Sequence, residues 1–331
     1  MTYMLLFLSV SLTNVDPLAD VLDLSRVRGA LLGNVRAGAP WGLALPQSDG
    51  ASFHAMTSGT AWLRVGDADP IQLMPGDVAL LPTGAAHRLS SEPDGDCRPF
   101  DRELKRELMT PEGDLPLAGP GATTTFVCAG YDYDHDIAQP LLVLLPAVLH
   151  VPADPVTGSA TAALVTLLAG EVGLREPGAR AAVDRLIDLL LISVVRAWAD
   201  RDGGGRASWL SALRDPTVAR ALAALHDRPA DPWTLQTLAA EVNVSRATLA
   251  RRFGELVGQP PLAYLTRWRL DLAARRLKDT AEPIDAIARG VGYSSEYAFN
   301  RAFRRHRGVP PGRFRRSHGG GEQPLTSARA R

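Results

Sequence analysis

Two groups of basic and polar side chains, repeated after fifty residues, hold the most readable chemistry in this sequence. Ser245, Arg246, Thr248, Arg251 and Arg252 form the first group; Ser294, Ser295, Glu296, Asn300, Arg301, Arg304 and Arg305 form the second. A guanidinium group offers two parallel donors that match a phosphate or the O6/N7 edge of guanine, and an Asn amide matches the N6/N7 edge of adenine. Serine ahead of a helix accepts from its orphan N–H groups. Such residues on two short helices are suited to double-stranded DNA.

A second kind of chemistry would need His54, His87, Cys97 and Cys128. Two histidines fall short of the three or four ligands that hold a metal with an open position, and Met56 adds only a weak thioether. We therefore expect no metal, no cofactor and no catalytic residues. Asp132, Asp134, His135 and Asp136 form another polar cluster, but with no recognisable metal spacing. Trp41, Phe53, Trp62, His54 and His87 are candidates to line a small-ligand cavity. Two cysteines are too few for a disulfide scaffold. They leave a redox reading, in which oxidation alters DNA affinity; Cys97 in a polar loop is the more reactive, and Cys128 in an apolar strand has the setting of an inert thiol.

The elements that must position these groups follow from pattern. The chain has 331 residues, formal net charge +0 and 22% charged residues. The zero hides a division: residues 1–230 carry 18 Lys+Arg against 27 Asp+Glu, and residues 231–318 carry 16 against 8. A basic module for a polyanion joined to an acidic body fits that division. Residues 29–35, 52–57, 60–65, 70–73, 78–81 and 87–91 read as short strands between Gly/Pro/Asp turns, with 123–131 and 141–145 as closing strands and 93–120 as a long loop. Many short strands at close spacing predict a sandwich or barrel. After Pro155 the period becomes helical, over 157–171 and 179–200; the latter is apolar nearly all round in its middle, which suits burial on two sides, either both within one chain or one of them against a partner subunit.

Beyond a glycine break at 202–205, a shift of fifty aligns Ser245, Leu249, Arg251, Phe253, Gly258, Pro261 and Tyr264 with Ser295, Phe299, Arg301, Phe303, Gly308, Pro311 and Phe314. Each copy reads as helix, tight turn, helix, over 235–257 and 284–306, with Ser245 and Ser294 as caps. Residues 261–277 read as a rigid spacer helix that could set two reading helices about 34 Å apart, one turn of DNA. The run 4–8 has no basic residues before it and is too short to span a membrane. We expect a cytoplasmic protein with no membrane association and a disordered tail over 318–331.

These residues resemble the AraC/XylS family of bacterial transcription regulators, above all through Gly292-Tyr293-Ser294-Ser295-Glu296, Phe299, Arg301, Phe303 and Gly308 to Pro311. The sequence departs from the family's pattern at Arg307, where an aromatic usually precedes the glycine, and at Pro310, where Ser or Thr is usual. The stretch from Gly76-Asp77 to His87 resembles the second motif of a cupin-type sensor domain; the first motif is degraded around His54 and Met56. The resemblance implies an α+β two-domain chain. A cupin-like β-barrel spans 16–150, a helical dimerisation segment and linker 151–205, and an all-α DNA-binding domain 215–317. It further implies contact with RNA polymerase, usually as an activator, and a small-molecule or oxidant signal received by a homodimer. The alternative is a cupin metalloenzyme with a basic DNA-binding appendage.

Overall fold

The computed structural model describes residues 15–25, 27–133, 145–153, 160–174, 176–201 and 212–318. The expectations for 4–8, Asp134, His135 and Asp136, 141–144, 157–159, 202–205 and the tail after His318 lie outside them. The chain forms two compact units, Ser25–Arg206 and Met1–Leu24 with Ala207–Arg331.

The first unit holds β1 (Arg28–Gly38), β2 (Gly42–Leu45), β3 (Ala51–Ser58), β4 (Ala61–Val65), β5 (Ile71–Leu73), β6 (Val78–Leu81), β7 (His87–Ser90), β8 (Arg98–Pro99), β9 (Asp114–Leu117), β10 (Thr123–Asp132) and β11 (Leu149–Val151). They pair as a six-stranded sheet, β11-β6-β3-β10-β1-β9, and a five-stranded sheet, β5-β4-β7-β2-β8. The expected closed barrel is therefore not formed by the described strands: two open sheets end on edge strands of two to four residues, too short to continue a ladder around. Val35, Met56, Phe126 and Cys128 from one sheet meet Leu43, Leu63, Leu73 and Leu89 from the other in a shared core. The stretch 93–120 is not one long loop either. Asp101 caps α2 (Arg102–Leu108) by accepting from the Leu104 amide at 2.9 Å, and β9 runs parallel to β1.

Two helices follow, α3 (Ala160–Val172) and α4 (Ala179–Arg201). Helix α4 covers the far face of the six-stranded sheet. Tyr131 donates to the Ile187 carbonyl at 2.6 Å, and the Gly29 amide donates to Asp188 at 2.9 Å. A Cβ on Gly29 would lie 2.3 Å from the Ile187 side chain, so only glycine lets the helix come this close. Val183, Ile187, Leu190, Leu191, Val194 and Val195 are buried, whereas Leu189 is 50% exposed.

The second unit is helical: α1 (Pro17–Ser25, all but its last residue), α5 (Pro216–Asp227), α6 (Leu235–Glu241), α7 (Arg246–Val257), α8 (Pro261–Asp279), α9 (Ile284–Gly290), α10 (Glu296–Arg307) and α11 (Pro311–His318). Asp20 of α1 meets His226 of α5 at 2.9 Å. His226 also meets the Tyr264 hydroxyl at 2.7 Å and stacks on Trp268 with ring centroids 4.0 Å apart. Helix α8 is the common beam. Its first half buries Tyr264, Leu265 and Trp268 beside Phe253; its second half buries Leu270, Ala273, Ala274 and Leu277 against Ile287, Phe299, Phe303 and Phe314. Nineteen residues make it about 28 Å long.

Candidate nucleic-acid interface and sensor interior

Both reading helices start and stop by the same local rules. Ser245 accepts from the Thr248 amide at 3.1 Å and Ser295 from the Ala298 amide at 3.2 Å. The second cap is thus Ser295 and not Ser294, which keeps the fifty-residue register with Ser245; Ser294 lies exposed ahead of the helix. At the other ends Gly258 (φ 76°) and Gly308 (φ 75°) take the left-handed conformation that closes the helix. The turn before α7 places Asn243 at φ 57°, a conformation that Asn tolerates better than most residues.

The outward faces differ. On α7, Arg251 is tied to Glu255 at 2.9 Å, and Arg252 reaches Asp215, the cap of α5, at 3.3 Å and Thr217 at 3.4 Å. Arg252, picked from sequence as a DNA contact, is thereby turned toward its own unit. Arg246 is exposed, and Thr248 shares a 2.8 Å hydrogen bond with Ser245. On α10, Asn300 donates to the Glu296 carbonyl at 3.0 Å and approaches its carboxylate at 3.4 Å. Arg301, Arg304 and Arg305 are exposed, and none of them pairs with a carboxylate among the described residues. They line the side of the helix opposite the buried Phe299 and Phe303. Sequence reasoning passed over Tyr297, on that cationic side and 77% exposed.

Arg307 explains its own departure from the family pattern. Its side chain is 8% exposed and ion-paired with Asp271 of α8, likewise 8% exposed. An ion pair ties the end of α10 to the beam where an aromatic ring would otherwise pack.

In the β unit, His54 of the six-stranded sheet and His87 of the five-stranded sheet meet through their Nε2 atoms at 2.7 Å. His87 Nδ1 lies 2.7 Å from the Ala85 carbonyl, and His54 Nδ1 lies 3.2 Å from Cys128 Sγ. Burial pushes both histidines below the usual imidazole range, and His87 lowers His54 further, so both are neutral. That fixes the tautomers. His87 Nδ1–H donates to the carbonyl, His54 Nε2–H donates to the bare His87 Nε2, and the Cys128 thiol donates to the bare His54 Nδ1. Every ring nitrogen thus has a partner within this chain of bonds. Among the described residues no three His, Cys, Asp or Glu gather as a metal site.

The predicted lining residues are not gathered round one cavity. His54 and Cys128 border an apolar interior space of about 40 Å³. His87 and Cys97 line an outer cleft of about 480 Å³ with Arg64 and Arg88, and Trp41 lines another of about 590 Å³ with Glu92, Asp96 and Arg98. Trp41 also stacks on Phe126 at 5.4 Å. Trp62 occupies the face of β4 opposite the buried Ala61 and Leu63, while Phe53 packs edge-on against Tyr131 beneath α4. Burial raises the Cys128 thiol to about 12 and raises Cys97 against the opposing pull of Arg88; both cysteines are free thiols.

Comparison with known proteins gives the same two parts. Residues 16–200 match the cupin family and 238–317 a helix-turn-helix domain family. A Streptomyces lividans protein named as an AraC-like transcription regulator is 36% identical over 91% of this chain and 98% of its own. The regulator AlkR of Acinetobacter baylyi is 31% identical over 91% and 99%. A solved DNA-binding domain of AdpA in complex with a target DNA is 33% identical over 31% of this chain and 92% of its own, with a TM-score of 0.30. Among the described residues no helix is long and apolar enough to cross a membrane.

Proposed function

The chain belongs to the AraC-like transcription regulators that carry an N-terminal cupin domain, and from that membership we propose that it binds promoter DNA through both helix-turn-helix units and changes transcription there when its β unit meets a signal. It is a regulator and not an enzyme. The observation that carries the reading is the duplicated unit on one stiff helix, with a cationic, unpaired face on α10. Arg246, Thr248, Arg251, Glu296, Asn300 and Arg301 are assigned to base or phosphate contacts, with Ser245, Ser294, Ser295, Arg304 and Arg305 at their edges. Arg252 positions α7 through Asp215.

The signal is a small molecule held in one of the outer clefts, whose sizes suit such ligands, whereas the interior space holds little more than a water molecule. Oxidation of Cys97 is the second reading, carried by its place in an open cleft with Arg88 against the rise that burial imposes on its thiol. Two copies associate through α4, supported by half-exposed Leu189 and by Leu167 of α3 at 58% exposure. The dimer works in the cytoplasm and activates through contact with RNA polymerase.

Mapping the chromosomal segments that the protein occupies tests the core of this proposal. A few sharp sites, bound in preference to unrelated duplex at matched salt, are expected. Uniform occupancy with no specificity ratio would remove it.

A further inference from the structure

Tyr297 is a large aromatic side chain with no place in its own fold. It lies in the first turn of α10, is 77% exposed, and points away from the core formed by Phe299 and Phe303. Neighbouring polar groups are already engaged: Asn300 bonds to Glu296, and Ser295 caps the helix. Arg301 follows one turn later on the same side. The fifty-residue register sets Ala247 at the matching position of α7, so only the second unit carries this ring.

We infer that Tyr297 reads a thymine by laying its ring against the C5-methyl group. The inference rests on the DNA-binding reading above, and goes beyond it by assigning a base. First-turn residues of the second helix of such a unit reach base edges in the major groove. That groove offers one apolar group, the thymine methyl; every other feature is a hydrogen-bond donor or acceptor. A ring this exposed gains most from that contact, and its hydroxyl can stay in water at the groove wall. The contact is apolar, so it complements the polar Arg301 without competing for the same base edge.

The test presents the full-length protein and its Tyr297→Ala and Tyr297→Phe variants with a pool of randomised duplexes. The wild type and Tyr297→Phe should enrich a thymine at one shared position. Tyr297→Ala should lose that preference and bind the wild-type duplex about tenfold more weakly, the cost of one mismatched pair. Remaking the duplex with uracil at that position removes only the methyl group. It should weaken the wild type about fourfold, the effect of one methyl returned to water, and leave Tyr297→Ala unchanged. A retained thymine preference in Tyr297→Ala, or indifference of the wild type to uracil, overturns the assignment while DNA binding stands. Enrichment of no sequence by the wild type overturns the DNA-binding reading itself, and the thymine contact with it.

Discussion

The two helix-turn-helix units share a frame and differ in where their charges go. Each has a serine cap, buried residues four apart and a left-handed glycine at the end. On α7 two of the three arginines are answered from within: Glu255 holds Arg251, and Asp215 holds Arg252, while Arg246 is exposed. On α10 the outward guanidinium groups are unanswered, and the answered one, Arg307, faces the beam. A carboxylate beside a guanidinium cancels most of its field at a distance. The count of arginines alone therefore does not set the pull on a phosphate. If both units bind DNA as proposed, the second should supply most of the electrostatic grip and the first shape and register.

The largest test of this contrast is inside the protein. Removing one partner of a buried ion pair costs up to about 3–5 kcal/mol, and here Arg267 at 3.9 Å and His306 at 3.6 Å stay beside Asp271. Arg307→Ala should destabilise the second unit by that order, measured by denaturant unfolding. Arg307→Phe should not rescue it, since Asp271 stays buried without its shortest ion-pair partner. Arg307→Met together with Asp271→Leu should recover most of the loss. A cost for Arg307→Ala below about 1 kcal/mol, the range of exposed pairs, would mean that solvent screens the pair after all.

DNA affinity is the next largest. Arg301→Ala should cost about 1–3 kcal/mol on a selected duplex and reduce the salt slope if a phosphate contact is lost. Arg251→Ala should cost about 0.5 kcal/mol or less, because Arg251 must first leave Glu255. Binding curves at several salt concentrations decide the matter, and equal losses at both sites would erase the electrostatic difference between the units.

Much of this contrast was written in the sequence, and the rest was hidden for physical reasons. Helices α6, α7 and α9 and the start of α8 follow from caps and periodicity, which are local. The partners of Arg252 and Arg307 lie 37 and 36 residues away, and nothing local reveals which arginine faces a carboxylate. The second cap was assigned one residue early because adjacent serines, Ser294 and Ser295, are equally able to cap. In the β unit the strands were legible from turn chemistry, but closure depends on how far edge strands pair. His54 and His87 sit on motif positions, and their union with Cys128 needed both sheets in place. α2 was missed because a seven-residue helix in a charged stretch has too few apolar positions to show a period.

Acid should separate the units in the same direction. His226, buried against Trp268 and hydrogen-bonded to Tyr264 and Asp20, is held below its usual range by burial, with Asp20 pulling the other way. A histidine whose folded value is depressed binds its proton more readily when unfolded. Stability is thus complete above the unfolded value of about 6.5 and falls as pH drops through that value toward the folded one. The first unit should melt earlier at pH 5 than at pH 7, followed by Trp268 fluorescence, and His226→Gln should flatten that difference. Equal acid sensitivity in wild type and variant would put the titrating group elsewhere.

The smallest expected effect is the most discriminating about Arg252. Its side chain is 42% exposed and its partner Asp215 22%, so the ion pair is screened and worth less than about 1 kcal/mol. Asp215 keeps its cap bonds to the Thr217 and Val218 amides, at 2.9 Å each, whether Arg252 is there or not. Arg252→Ala should barely move the melting of the first unit. If Arg252 only positions α7, the variant should lose no more than about twofold in DNA affinity, and the loss should be the same at low and high salt, since no released counterion is involved. A salt slope reduced by about one would instead mean that Arg252 abandons Asp215 for a phosphate, and the first unit would then grip DNA electrostatically as the second does.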